Sequence, residues 1–164
     1  MQRGFTLIEL VMILTLIAIL AAVAIPRFSS YGAAKQHNAV LKIASDIRYA
    51  QNRATTTQQR SQVSFTANGY TVNSCSNYTS STCICAAWSP VKTIDLSTDY
   101  SEVTIATIVG NCLEFDSLGK PYLNNGCVNG GASCTASAAA TVDVVYGGSP
   151  QTITVTTQTG MVSY

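Results

Sequence analysis

The sequence predicts an α+β protein: a long N-terminal helix that spans a membrane in its first half and packs by its second half on small antiparallel β-sheets. Three observations carry this. An apolar run from Phe5 to Ile25 is about 20 residues long, the length that crosses a hydrocarbon core as a helix. Helical periodicity then resumes beyond Pro26. After Arg60 the pattern changes to short β-branched segments separated by Gly, Asn and Ser.

The apolar run carries a single charge, Glu9. A carboxylate in a membrane helix costs a few kcal/mol unless it is paired or reaches the interface. One reading is local: Glu9 snorkels and gains from the positive end of the helix dipole. The other supplies a partner from a second chain. A cut after Gly4 would free an α-amino group on Phe5, and two groups costly in lipid would neutralise each other as parallel helices pack. The segment is unlike a secretory signal peptide, because Met1, Gln2 and Arg3 make almost no basic region and the apolar run is too long. Arg3 on one flank and Arg27 and Lys35 on the other leave its orientation open.

Past Pro26, the residues Val40, Ile43, Ala44, Ile47, Ala50 and Ala54 recur at three and four, one apolar stripe that should lie on a sheet. Lys42, Arg48, Gln51, Gln58 and Gln59 fall largely off it. Three β-branched residues, Thr55 to Thr57, lower helix propensity and mark the end. Gln62 to Thr66 and Tyr70 to Asn73 flank Ala67-Asn68-Gly69, a hairpin signal. Further strands are expected at Lys92 to Leu96, Val103 to Thr107, Cys112 to Phe115, Thr141 to Tyr146 and Gln151 to Thr157. A short last one is expected at Met161 to Ser163. Their alternation fits half-buried antiparallel sheets. Ser74 to Pro90 and Lys120 to Ala140 read as loops, rich in Ser, Thr, Cys, Gly and Asn. Gly147-Gly148-Ser149-Pro150 reads as a turn, not a phosphate cradle. The resulting divisions are 1–4, 5–25, 26–60 and 61–164.

The six cysteines, Cys75, Cys83, Cys85, Cys112, Cys127 and Cys134, all lie in the later part, five of them in or beside the loops. An even number in a loop-rich region favours disulfides and an oxidising compartment, which orients the membrane segment. The Cys83-x-Cys85 spacing is wrong for a zinc knuckle, and these two are expected to bond different partners. Connectivity is not fixed by sequence. Only 10% of residues are charged, and nine Lys and Arg stand against eight Asp and Glu, so no strong net field would attract a polyanion. The charge is nonetheless segregated. From Arg27 to Arg60 six cations meet only Asp46. Later, Lys92 and Lys120 meet six carboxylates: Asp95, Asp99, Glu102, Glu114, Asp116 and Asp143. A basic helix beside an acidic sheet explains this, as would complementarity between subunits of a polymer.

No catalytic constellation stands out. His37 is the single His and falls on the helix, Trp88 reads as packing, and Asp95 with Asp99 as solvated loop acids. No compact D-x-D cluster supports calcium. The sequence predicts no enzyme, no cofactor and no metal.

The stretch G-F-T-L-I-E-L at Gly4 to Leu10, with the apolar run to Pro26, resembles the processing motif of type IV prepilins and type II secretion pseudopilins. The resemblance implies cleavage between Gly4 and Phe5 by a membrane-embedded prepilin peptidase, and N-methylation of Phe5 by the same class of enzyme. It implies docking into a filament through Glu9, and a helix kink or local melting at Pro26. S-D-I-R-Y-A-Q-N-R-A at Ser45 to Ala54, L-E-F-D-S-L-G-K-P at Leu113 to Pro121 and I-T-V-T-T-Q-T-G-M-V at Ile153 to Val162 are similar to segments of the H-type minor pseudopilin and FimT group. The implied fold is a long helix on two small antiparallel sheets. The implied partners are other pilins or pseudopilins, the peptidase and an inner-membrane assembly platform, with the C-terminal domain in the periplasm.

The first functional expectation is therefore a minor pseudopilin of a type II secretion system, serving protein export. The alternative is a minor, or major, pilin of a type IV pilus acting in assembly, adhesion, motility or DNA uptake. Family members thought to bind DNA gather basic residues near the final G-x-V strand. Gly160 to Tyr164 carries none, so nucleic acid is not an expected partner.

Overall fold

The computed structural model of the chain describes residues 6–79, 84–107, 111–125, 139–157 and 159–164. Of residues 23–30, 77–79, 84, 86, 107, 111, 124 and 125 it describes the backbone alone. The chain divides into two units, Met1–Ala34 and Lys35–Tyr164. Helix α1, Leu7–Thr57, runs from one into the other.

The second unit begins with the amphipathic half of α1. Ala39, Val40, Ile43, Ala44, Ile47, Ala50 and Ala54 are all buried, the stripe expected from the periodicity. The helix stops where the threonines predict. Thr55 and Thr56 donate their hydroxyls to the Asn52 carbonyl, and Thr57 donates to that of Arg53. The Gln58 amide donates to the Thr55 carbonyl, and Gln58 itself takes a positive φ of 55°. Together these turn the chain out of the helix and satisfy its last carbonyls.

Nine strands follow among the described residues, with one short helix: β1 Ser61–Thr66, β2 Gly69–Thr79, β3 Ile84–Asp95, α2 Leu96–Asp99, β4 Thr104–Thr107, β5 Asn111–Phe115, β6 Pro121–Asn125, β7 Ala140–Tyr146, β8 Ser149–Val155 and β9 Val162–Ser163. They form a five-stranded sheet, order β3-β2-β1-β5-β6, and a four-stranded sheet, order β4-β7-β8-β9. All pairings are antiparallel. One core joins α1 to both sheets through Val63, Phe65, Val72, Leu113 and Phe115 on one and Val142, Val144, Ile153 and Val155 on the other.

Three sequence expectations need correction. The Ser74–Pro90 segment, expected as a loop, is mostly strand: β2 and β3 pair from Gly69↔Asp95 to Thr79↔Ile84. Register shifts between Val72 and Asn73 and on either side of Asn77 break the period-2 pattern that would have revealed it. The expected strand Lys92 to Leu96 is the end of β3, and Leu96 opens α2, capped by the Asp95 carboxylate accepting from the Ser97 amide at 2.8 Å. Pro121 to Asn125, expected as loop, is β6, an edge strand that opens on its proline, where no ladder hydrogen bond is lost. The rest of that expected loop, 126–138, lies outside the described residues, as do 80–83 of the first. The hairpin at Ala67-Asn68 is present, but Gly69 is needed for a different reason. A Cβ there would run into the Ile94 carbonyl of β3.

The helix is fastened to the sheets by polar side chains at the borders of its stripe. Gln36, buried, donates to the carbonyls of Val144 (2.9 Å) and Ser149 (2.7 Å). Arg48 donates to the Val162 carbonyl at 2.8 Å. Asp46, also buried, accepts from Lys92 of β3 at 2.7 Å, from Tyr70 of β2 at 2.7 Å and from Lys42 at 3.1 Å. Burial alone would raise the Asp46 pKa, but these three donors outweigh it and hold the carboxyl below its ordinary 3.8. The Tyr70 hydroxyl is pushed up by burial and by Asp46. A second buried pair, Arg60 with Glu114 at 3.4 Å, is extended by Gln62, whose amide donates to Glu114 at 3.0 Å.

A lowered folded-state pKa means that Asp46 stabilises fully above about pH 4 and less as pH falls through that folded value. Asp46→Asn should therefore cost about 1–3 kcal/mol near neutrality. The gap between wild type and variant should close below about pH 3.8, read by denaturant unfolding at several pH values. A gap that stays constant to pH 2.5 would refute the assignment.

Cys75 and Cys85 are joined by a disulfide across the β2–β3 hairpin, ten residues apart. The chain-entropy relation assigns a loop of that size about 3 kcal/mol. Replacing both by Ser should lower unfolding free energy by roughly that amount, and an unchanged denaturation midpoint would contradict it.

Candidate assembly site

The N-terminal unit is built around α1 from Leu7. Thr6 precedes the helix and caps it. Its carbonyl accepts from the amides of Glu9 at 3.1 Å and Leu10 at 3.2 Å, and its hydroxyl oxygen accepts from the Glu9 amide at 3.4 Å. Thr6-Leu7-Ile8-Glu9 thus has the Thr-x-x-Glu spacing of a capping box. The sequence places Glu9 at the positive end of the helix dipole, and the structure adds its position in the capping motif. Glu9 therefore sits in the first helical turn, where the dipole favours a carboxylate and four backbone amides have no intrahelical acceptor.

Beyond it, the apolar side chains are exposed on every side. Leu7 is 82% exposed, Leu14 58% and Ile19 67%, and every described side chain from Thr6 to Ala22 is classed as exposed. Successive residues advance by 100°, so the exposed side chains from Thr6 to Ala22 lie on every face of the helix. Thr15 donates its hydroxyl to the Met12 carbonyl at 2.9 Å, and Glu9 is the one charged residue between Thr6 and Ala22. Among the described residues no helix is long and apolar enough to cross a membrane. The described side chains stop at Ala22, three residues short of the end of the apolar run.

Gly4 and Phe5 lie outside the described residues. Pro26 lies inside α1, and helical structure continues on both sides of it. Of the cysteines, Cys75 and Cys85 are paired and Cys112 is also disulfide-bonded, while Cys83, Cys127 and Cys134 lie outside the described residues. The described residues contain no group of His, Cys, Asp and Glu able to hold a metal. His37 is exposed on α1, Trp88 lies half-buried in β3 opposite Cys75, and Asp95 is occupied in capping α2 rather than paired with Asp99.

Residues 1–25 match the family described as prokaryotic N-terminal methylation motif. The type IV major fimbrial protein FimA of Dichelobacter nodosus is 44% identical over 50 residues, 30% of this chain and 32% of FimA. The match thus spans about a third of that relative's length. Two crystal structures of the type IV minor pilin FimU of Pseudomonas aeruginosa share the fold. One has a TM-score of 0.54 at 12% identity over 80% of this chain and 88% of FimU. The other scores 0.51 at 13% identity over 77% and 90%.

The chain thus combines a methylation-type N-terminal motif with the fold of those minor pilins, a long helix packed on antiparallel sheets.

Proposed function

We propose that this chain is a subunit of a type IV pilus, inserted in the inner membrane by residues 5–25 and polymerised through α1. The observation that carries the reading is the fully exposed apolar first half of α1 with one carboxylate in its first turn. Such a surface needs lipid or other helices around it. Between helices in lipid, apolar contact gives little net drive, so a polar pair is what discriminates association. Cleavage after Gly4 supplies the second half of that pair, the Phe5 amine of a neighbouring copy, which is then N-methylated. Pro26 removes one backbone hydrogen bond and makes α1 easiest to bend or melt there during assembly. Residues 61–164 then lie on the periplasmic side, where a disulfide such as Cys75–Cys85 forms and persists. The relatives found are type IV pilins, and this favours the pilus over the secretion pseudopilus that the sequence first suggested.

Glu9→Ala should leave membrane insertion and leader removal intact and strongly reduce recovery of the chain in sheared filaments. Normal incorporation would refute the pairing. A bulky substitution at Gly4 should leave the precursor uncut, seen as an unprocessed mass by intact-protein spectrometry. A mature mass in that variant would displace the cleavage site. Abundance in wild-type filaments assigns the subunit as major or minor.

A further inference from the structure

Two turns at one end of the β-rich unit converge on a single side chain. The Gln51 amide donates to the carbonyls of Gly119 (2.9 Å) and Thr159 (2.8 Å), spending both hydrogens to tie a turn of one sheet to a turn of the other. The turns touch: a Cβ on Gly160 would lie 2.9 Å from the Gly119 carbonyl and would overlap the Gln51 amide. Both glycines hold positive φ, 79° at Gly119 and 65° at Gly160. Each turn is further fixed from within. Asp116 accepts from the amides of Leu118 (2.9 Å) and Lys120 (2.8 Å) and from the Tyr122 hydroxyl (3.0 Å). Thr156 exchanges backbone hydrogen bonds with Gly160 and Met161, both at 3.0 Å.

Next to these glycines stand Leu118, 86% exposed, and Met161, 62% exposed. A lone exposed apolar residue needs no explanation. Two of them on adjoining, immobilised turns can be covered with little further loss of conformational entropy. Lys120 adjoins them and has no ion pair among the described residues.

The other end of this unit has the opposite character. Lys35 hydrogen-bonds Ser101 at 2.9 Å, which places the 95–102 segment beside the start of the unit's helix. Lys35 precedes Gln51 by sixteen residues, roughly 24 Å along α1. That segment exposes Asp99 and Glu102, neither of them ion-paired among the described residues. One molecule thus carries an apolar patch with a cationic rim at one end and carboxylates at the other. Contact between unlike ends is heterologous, and when its rotation does not close it builds an open helical polymer.

We propose that Leu118, Met161 and Lys120 form a docking surface for a second copy of this chain, which meets it with Asp99 and Glu102. The inference rests on the filament reading and adds to it the globular contact that sets axial spacing. In the full-length chain in its own cells, Leu118→Asp and Lys120→Glu should each reduce recovery in sheared filaments about tenfold, with cell levels and disulfide bonding unchanged. Asp99→Lys should do the same, and combining it with Lys120→Glu should restore incorporation. A photo-crosslinking residue at position 118 should yield a dimer of this chain joined to peptide 95–102. Wild-type incorporation of the single variants, no gain from the double reversal, or a crosslink to a different protein would each overturn the surface. Glu9→Ala run in parallel separates the two readings. If it alone is excluded, only the docking surface fails; if it too enters normally, the filament reading itself falls.

Discussion

The constraint on which the rest depends is that a single helix, α1, must satisfy two different surroundings along its length. From Leu7 to Ala22 the apolar side chains are exposed in all directions among the described residues. Burying such surface is worth about 25 cal/mol per Å², so water is its worst surrounding. Its second half narrows the apolar surface to one stripe, heavy in alanine: Ala39, Ala44, Ala50 and Ala54. Small residues there let the sheets come close to the helix axis. The long polar side chains at the stripe's borders, Gln36, Asp46, Arg48 and Gln51, then reach the strands and turns. The second half of the helix is therefore the central support of the β-rich unit.

Charge in that unit is arranged less simply than its sequence distribution implies. A basic helix against an acidic sheet would place helix cations on sheet carboxylates. Among the ion pairs of the described residues, Arg60 with Glu114 comes nearest to that scheme, and Arg60 lies just past the helix end. The stronger knot is reversed: the helix supplies the carboxylate, Asp46, and the sheet supplies Lys92 and Tyr70. A half-paired carboxylate in this position would be costly, and three donors make it tolerable. The Lys92 pKa is raised, chiefly by its hydrogen bond to Asp46, as expected for a cation that gains a partner on folding.

What was legible in the sequence follows from which signals are local. The α1 stripe, its stop at the threonines and the strands β1, β7 and β8 depend on periodicity within one segment, and they are found within a residue or two of their expected bounds. The Gly147-Gly148 turn was equally local: both residues take positive φ, the geometry of a two-residue hairpin. The long β2–β3 hairpin was not legible, because its bulges destroy alternation and its Ser-, Thr- and Cys-rich residues carry weak strand signals. Strand β6 was hidden by its leading proline. The capping role of Thr6 could have been read from its three-residue spacing to Glu9. The convergence of two glycine turns on Gln51 could not, since it joins residues more than 100 positions apart.

Assembly of such a subunit divides naturally between its two parts. Apolar side chains exposed all round a helix adhere without much preference for angle or offset, because nearly every rotation and shift buries similar area. In the proposed filament, Glu9 supplies one fixed point along the helix, since a carboxylate in that setting tolerates few alternatives. One point fixes an offset but not a rotation. The remaining degree of freedom must be set where surfaces are directional and rigid, which in this chain means the β-rich unit. The disulfide, the Asp46 knot and the Gln51 junction all act to hold its strands and turns in single positions. In the proposed filament, that rigidity is what gives each subunit a defined rotation among its neighbours.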